Sequence, residues 1–355
     1  MTLQNKVQSI LKERMRFNTQ KASAYYPLLS FLSDRESISQ TIAAFQEQLT
    51  REHNKSLIKD IVICNYCYGI TANEYFLYNF QKLADDERRN FVGYEYKLKI
   101  CKILRPSTNA TLLSNKAKCY SVFREFYRRD LIEINSSDQL DEFQQFCAKH
   151  QKMIVKPVSG NEGKGIYILD VAGKELKKEF GSILNKGVCV IEELVQQAPA
   201  LGCFHPNSVN TIRVVTYNTG HEVKILWTLF RMGQGGSFVD NASAGGIIAA
   251  VDQNTGVIHT QGYSETAKCL YDYHPETKQR ICGYSIPYWD ELKQQVQRMA
   301  MLIPDYHFVG WDLALTDSGW TMIEANSGPS FVGTQLCEQI GKWPLIESLG
   351  IMNRP

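Results

Sequence analysis

A chain of 355 residues, 44% hydrophobic and 21% charged, is long enough to bury more than one core, and this composition excludes a disordered tail. A net charge of +2 gives no electrostatic case for nucleic acid or an acidic membrane surface as the main partner. The charged N-terminal turns carry no leader pattern and no apolar run approaches the roughly 18 residues of a membrane span, so a cytoplasmic protein that does not span a membrane is expected.

Three stretches in residues 1–109, LQNKVQSILKERM, SISQTIAAFQEQLT and ANEYFLYNFQKL, space apolar residues three and four apart and predict a mainly helical N-terminal region. Within it, IKDIVICNYCYGI reads as a strand or a buried segment. The run Asp85-Asp86-Glu87-Arg88-Arg89 reads as a solvated helix face. The ten cysteines lack paired spacing, and Cys64 and Cys67 have no second pair or histidine partner to complete a zinc site. Reduced, mostly buried thiols are expected.

A loop at Arg105-Pro106-Ser107-Thr108-Asn109 ends this region, and Ser114 or Asn115 can cap a helix that begins near Lys116. From about residue 150 the texture turns to short β-rich runs: QKMIVKP, GIYILD, GVCVIEEL, NTIRVVTY, EVKILWTLF and GGIIAAVD, interrupted by one long helix at YWDELKQQVQRMAMLI. This pattern predicts an α+β domain with largely antiparallel sheets, divided at 110–200 and 201–355.

Between two of those strands lies Ser159-Gly160-Asn161-Glu162-Gly163-Lys164-Gly165. Its glycines allow exposed N–H groups to cradle phosphate oxygens, and Lys156 and Lys164 add positive charge. The spacing does not fit GxxxxGK[ST], and a strand follows where that motif needs a helix. An ordinary flexible turn is the competing reading. Arg213 stands mid-strand, on the opposite face from Ile212 and Val214, and either pairs with a carboxylate or phosphate or lies on a wet sheet face.

The stretch FVGWDLALTDSGWTMIEANSGPS reads as a β-hairpin. A three-residue loop, Asp317-Ser318-Gly319, with a left-handed Gly319 sets Thr316 opposite Trp320 and Asp312 opposite Glu324; Asn326 shares their face. Leu313, Leu315, Ile323 and Ala325 are left for the core. Opposed carboxylates with Cβ atoms about 4.5–5.5 Å apart repel, so a cation is expected between them, and an all-oxygen donor set suits Mg²⁺. On this reading, removing one charge relieves repulsion and leaves stability unchanged. An edge hairpin with solvated acids is the alternative.

Together, Lys116, IVKP with the Gly-rich loop, the EELV strand end, Arg213, GWDLAL and MIEANSGPS resemble the ATP-grasp superfamily from about residue 110 to 345. HPETKQRICGYSIPYWDEL and DNASAGG resemble, more closely, the sugar-transfer-associated ATP-grasp family. The resemblance implies an ATP-grasp fold, two α+β subdomains clasping ATP, behind the helical region. It implies that Lys116 and Lys156 hold the α- and β-phosphates and that the loop with Gly160, Gly163, Lys164 and Gly165 closes over the β- and γ-phosphates. Glu192, Glu193 and Val195 become the adenine hinge, and Asp312, Glu324 and Asn326 the ligands of one or two Mg²⁺ ions, with Mn²⁺ as an alternative. Arg213 contacts the transferring phosphoryl group, and Asn241, Ser243, Gly245 and Gly246 shape the acceptor pocket.

The implied activity is a carboxylate–amine ligase acting through an acyl phosphate, with a small-molecule carboxylate and an amine or sugar acceptor as substrates and glycosyltransferases of a polysaccharide pathway as partners. Two alternatives stay open: an ATP-dependent kinase of a sugar or lipid-linked acceptor, and a nucleotide-sensing partner of a glycosyltransferase without turnover.

Overall fold

The computed structural model describes residues 3–45, 51–105, 111–160, 165–236 and 245–354, which gather into two compact units, 1–103 with 330–355 and 104–329. The first unit is helical, with helices Leu3–Met15, Thr19–Ala24, Tyr26–Leu32, Arg35–Phe45, Arg51–Tyr68, Ala72–Leu77, Asp85–Arg88 and Tyr94–Ile103, joined by Val332–Glu338 and Trp343–Ser348. One expectation is decided here and another changes. Of the two readings for IKDIVICNYCYGI, the buried segment holds and the strand does not: it supplies the second half of helix Arg51–Tyr68, where Ile58, Ile61, Val62, Cys64, Cys67 and Tyr68 are all buried. A helix apolar on most sides reads locally like a buried strand, and length decides between them. In the run at 85–89, Arg88 is not solvated: it is buried, and its guanidinium holds Asp60 at 2.9 and 3.0 Å.

The sequence reading put residues 330–355 with the sheets, whereas they complete the helical unit. Gln335 accepts from the Val92 N–H at 2.8 Å and donates to its carbonyl at 3.1 Å, replacing a strand partner for that residue. The Trp343 N–H bonds the Asn90 carbonyl at 2.9 Å, and its ring meets Tyr96 edge-on at 5.2 Å. The ten cysteines are free, each buried or half-buried.

The second unit holds two antiparallel sheets. Strands β1 (Leu131–Ile134), β2 (Lys152–Pro157), β3 (Tyr167–Asp170) and β4 (Cys189–Glu193) form the smaller, in the order β1-β4-β2-β3. Strands β5 (Thr211–Asn218), β6 (Val223–Met232), β7 (Ile247–Val251), β8 (Gly262–Ser264), β9 (Cys269–Tyr271), β10 (Phe308–Thr316) and β11 (Gly319–Ser327) form the larger, ordered β11-β10-β5-β6-β7-β8-β9. Helices Leu140–Lys149 and Leu176–Leu184 press Phe143, Phe146, Phe180 and Ile183 onto the small sheet. Helices Lys116–Tyr127 and Trp289–Met301 cover the large one, burying Phe123, Trp311, Leu313, Trp320 and Met322. Each such side chain contributes about 1.5–3 kcal/mol of transfer free energy. Asn115 caps the first of these helices, accepting from the Lys118 N–H at 2.9 Å.

Candidate active site

The β10–β11 hairpin reaches the expected pairing by an unexpected route. Thr316 pairs with Gly319 and Leu315 with Trp320, one residue short of the register that a three-residue loop sets, although Gly319 does take a positive φ of 101°. Between Leu313 and Asp312 the ladder shifts, leaving Ile323 as the extra residue, and Asp312 then faces Glu324. The bulge turns Ile323 out of the core, so Met322 and Trp320 fill the places expected for it. Ile323 instead lines a cavity with Glu324 and Asn326.

That cavity, about 710 Å³, lies within the second unit and is walled by both sheets, a size suited to a small organic ligand. Lys116, Lys156, Gly160, Glu192, Glu193, Val195, Asp312, Glu324 and Asn326 all line it. Gly163, Lys164, Asn241 and Ser243 lie outside the described residues. Gly165 has φ 76° and a Cβ there would stand 3.0 Å from Pro157 Cγ; neither it nor Gly245 and Gly246 are among the lining residues.

Asp312 is buried, and two arginines stand beside it. Arg213 clasps both its oxygens, and Arg231 Nη1 donates to Oδ2 at 2.8 Å. Burial, the largest single influence, would raise its pKa; the two guanidiniums together outweigh it and hold the carboxyl at about 2. Arg213 therefore has the carboxylate partner its mid-strand position called for, and Glu324 lies 3.9 Å from the same guanidinium. Asn326 donates to Glu324 at 2.9 Å.

Glu192 repeats the pattern on the small sheet. Lys156 Nζ stands 2.9 Å away and Arg129 Nη2 2.7 Å. Burial again pushes its pKa up, and Lys156 and Arg129 override this to bring it to about 2. Arg129 also donates to the Met322 carbonyl at 2.6 Å, tying β4 to the hairpin. Each buried carboxylate thus sits between two cations. Glu193 turns its carboxylate to the Asp130 N–H at 3.1 Å. Lys116 Nζ donates to the Gly160 carbonyl at 3.2 Å, and burial draws its pKa below the ordinary lysine value.

Arg129 and Arg231 are the charged residues that sequence reasoning missed. Arg231 carried the same signal as Arg213, one arginine in an apolar strand. Arg129, in YRRD after a helix, carried none.

An all-oxygen set from Asp312, Glu324 and Asn326 in a cavity also lined by Lys116 and Lys156 fits a hard divalent cation shared with phosphate oxygens.

The family described as sugar-transfer associated ATP-grasp is matched over residues 96–350. No curated protein sequence matches the chain. Among solved structures, the ATP-grasp ligase PsnB complexed with minimal precursor, Mg and ADP is similar at 16% identity and a TM-score of 0.42, over 69% of this chain and 60% of that one. D-alanyl-alanine synthetase A from Vibrio cholerae is similar at 11% identity and a TM-score of 0.41, over 65% and 60%. An L-amino acid ligase from Bacillus licheniformis is similar at 13% identity and a TM-score of 0.39, over 66% and 45%. The chain spans less than two thirds of the length of each of these proteins.

Proposed function

Because the chain belongs to the sugar-transfer associated ATP-grasp family, we propose that it is an ATP- and Mg²⁺-dependent ligase that joins a carboxylate to an amine. The product is an amino acid or similar group on a sugar or sugar acid destined for a cell-surface polysaccharide. The observation that carries this reading is a single cavity lined by Lys116 and Lys156 together with the oxygen donors Asp312, Glu324 and Asn326.

Lys116 and Lys156 hold the α- and β-phosphates, the 160–165 loop covers the β- and γ-phosphates, and Glu192, Glu193 and Val195 border the adenine. Asp312, Glu324 and Asn326 hold the metal, which when bound supplies charge neutralisation to the transferring phosphoryl group. Arg213 and Arg231 fix Asp312 and lend positive charge at the same place. Phosphoryl transfer needs positioning and charge more than a protein nucleophile. The cavity's thiols agree with that: burial pushes Cys119 up to about 11 and also raises Cys203, so both stay protonated near neutral pH. A substrate carboxylate oxygen attacks the γ-phosphorus and ADP leaves; the amine then attacks the acyl carbon, phosphate departs and the ammonium loses its proton.

The test uses ¹⁸O-labelled carboxylate with ATP, Mg²⁺ and amine. Label in the released phosphate is the expected result. Unlabelled phosphate, or phosphate attached to a sugar hydroxyl, removes the ligase reading and favours a kinase.

A further inference from the structure

The cavity wall at Asn207, Ser208 and Val209 backs onto a buried polar knot that the phosphate and metal chemistry does not use. Asn210, fully buried, is its centre. Its Oδ1 accepts from the Gly233 N–H at 3.0 Å, and its Nδ2 reaches Gln197 Oε1 at 2.8 Å, the Leu201 carbonyl at 3.0 Å and the His205 carbonyl at 3.1 Å. Gln197 closes the knot, accepting from the Asn210 N–H at 3.0 Å and donating to its carbonyl at 2.6 Å.

Two buried histidines hold the exit of β6. His205 Nε2 lies 3.1 Å from the Gly235 carbonyl and His274 Nε2 2.9 Å from the Gly233 carbonyl. A carbonyl only accepts, so both rings carry hydrogen at Nε2. His205 Nδ1 sits 2.7 Å from Ser208 Oγ, which itself lines the cavity. The approach is so close that a Cβ on Gly233 would stand 2.0 Å from Ser208 Oγ and 2.5 Å from His205 Nδ1. The Gly235 N–H donates to Glu276 Oε1 at 2.6 Å.

We propose that the His205–Asn210–His274 cluster is a positioning device for the second-substrate side of the cavity, holding the Ser208 wall and the 233–236 exit of β6 in one arrangement only while His274 is neutral. What that wall faces rests on the ligase reading above; the cluster's geometry does not. A satisfied buried network of this density rigidifies what it joins. Glu276 Oε2 lies 3.5 Å from His205 Nε2. His274 is faced by His205 at 5.9 Å between ring centroids, by Glu276 and by Lys278, and its buried Nδ1 has no hydrogen-bond partner among the described residues. Burial, the leading influence, already draws its pKa below 6.5. A proton forced onto it would sit buried and unpaired at Nδ1, a cost that the bond from Nε2 to Gly233 offsets only in part.

The experiment is hydrogen–deuterium exchange of peptides spanning 205–211 and 230–236 across about pH 5 to 8, corrected for intrinsic exchange, in wild type and His274→Gln. Glutamine can donate to the Gly233 carbonyl without titrating. Acid should expose both segments about tenfold in wild type and much less in the variant. With hydroxylamine as the amine probe, its free-base concentration held equal at every pH, and a carboxylate that supports turnover, the KM for free amine should rise about tenfold on acidification in wild type and much less in the variant, with kcat and Mg²⁺-ATP affinity far less affected. Equal acid response in both proteins, or Mg²⁺-ATP affinity moving in step with the amine KM, overturns the proposal. If no carboxylate supports turnover, the ligase reading fails, and the exchange comparison still decides whether the histidines hold the wall.

Discussion

Asp312 carries one negative charge between two guanidiniums, which reverses the stability expected from its opposition to Glu324. Asp312→Asn takes the buried charge away from two half-buried guanidiniums, so unfolding free energy should fall by about 1.5–3 kcal/mol, read by urea titration. Glu324, half-exposed and 3.9 Å from Arg213, should tolerate Gln within about 0.5 kcal/mol while losing Mg²⁺-dependent turnover. Lys156→Ala should weaken Mg²⁺-ATP by at least about tenfold in calorimetry, since it removes a charge-assisted phosphate contact; unchanged affinity takes Lys156 off the phosphates. Glu192 and Asp312 also set an acid limb. Both are depressed to about 2 from 4.5 and 3.8, so their stabilisation is complete above the ordinary values and is lost as pH falls towards 2. Thermal melting should drop steeply through that window, and Glu192→Gln should flatten part of it.

The hairpin shows how an element can reach the right pairing through two offsetting departures. Its turn is one residue tighter than a three-residue loop, and the bulge at Ile323 restores Asp312 to Glu324. Without the bulge, Glu324 would move to the core face, because a slip of one residue reverses every side chain. The turn itself depends on Gly319, whose φ of 101° suits few side chains and whose Cβ position lies 2.7 Å from Arg128 Nη1. Gly319→Ala should destabilise by about 1–2 kcal/mol, visible as a shifted urea midpoint with unchanged slope. An unshifted midpoint would mean the turn relaxes freely.

Across the whole chain, the helical unit is closed by residues from the far end of the sequence. Gln335 occupies both backbone groups of Val92, and Trp343 packs on Tyr96. Truncation after residue 329 should therefore strip amide protection from 51–103 and lower the helical circular-dichroism signal. Retention of both would show that the N-terminal helices hold together without the C-terminal segment. Among the described residues, no helix is long and apolar enough to cross a membrane.

Local pattern was enough for much of this protein. The strand runs, the cap at Asn115 and the facing of Arg213 away from Ile212 and Val214 follow from periodicity and capping chemistry, which act over a few residues; the pairing of Asp312 with Glu324 needed the bulge as well. The oxygen-only character of the hairpin face is fixed by composition. The tertiary structure alone decided which cations meet which carboxylates. Arg129 reaches Glu192 across 63 positions and Arg231 reaches Asp312 across 81. A sequence shows that a buried charge needs a partner, but the identity of that partner depends on which strands lie side by side. The same holds at 58–70, where only packing on most sides of a helix decided between a strand and a buried segment, and for His205, Asn210 and His274, whose bonds join three separate segments.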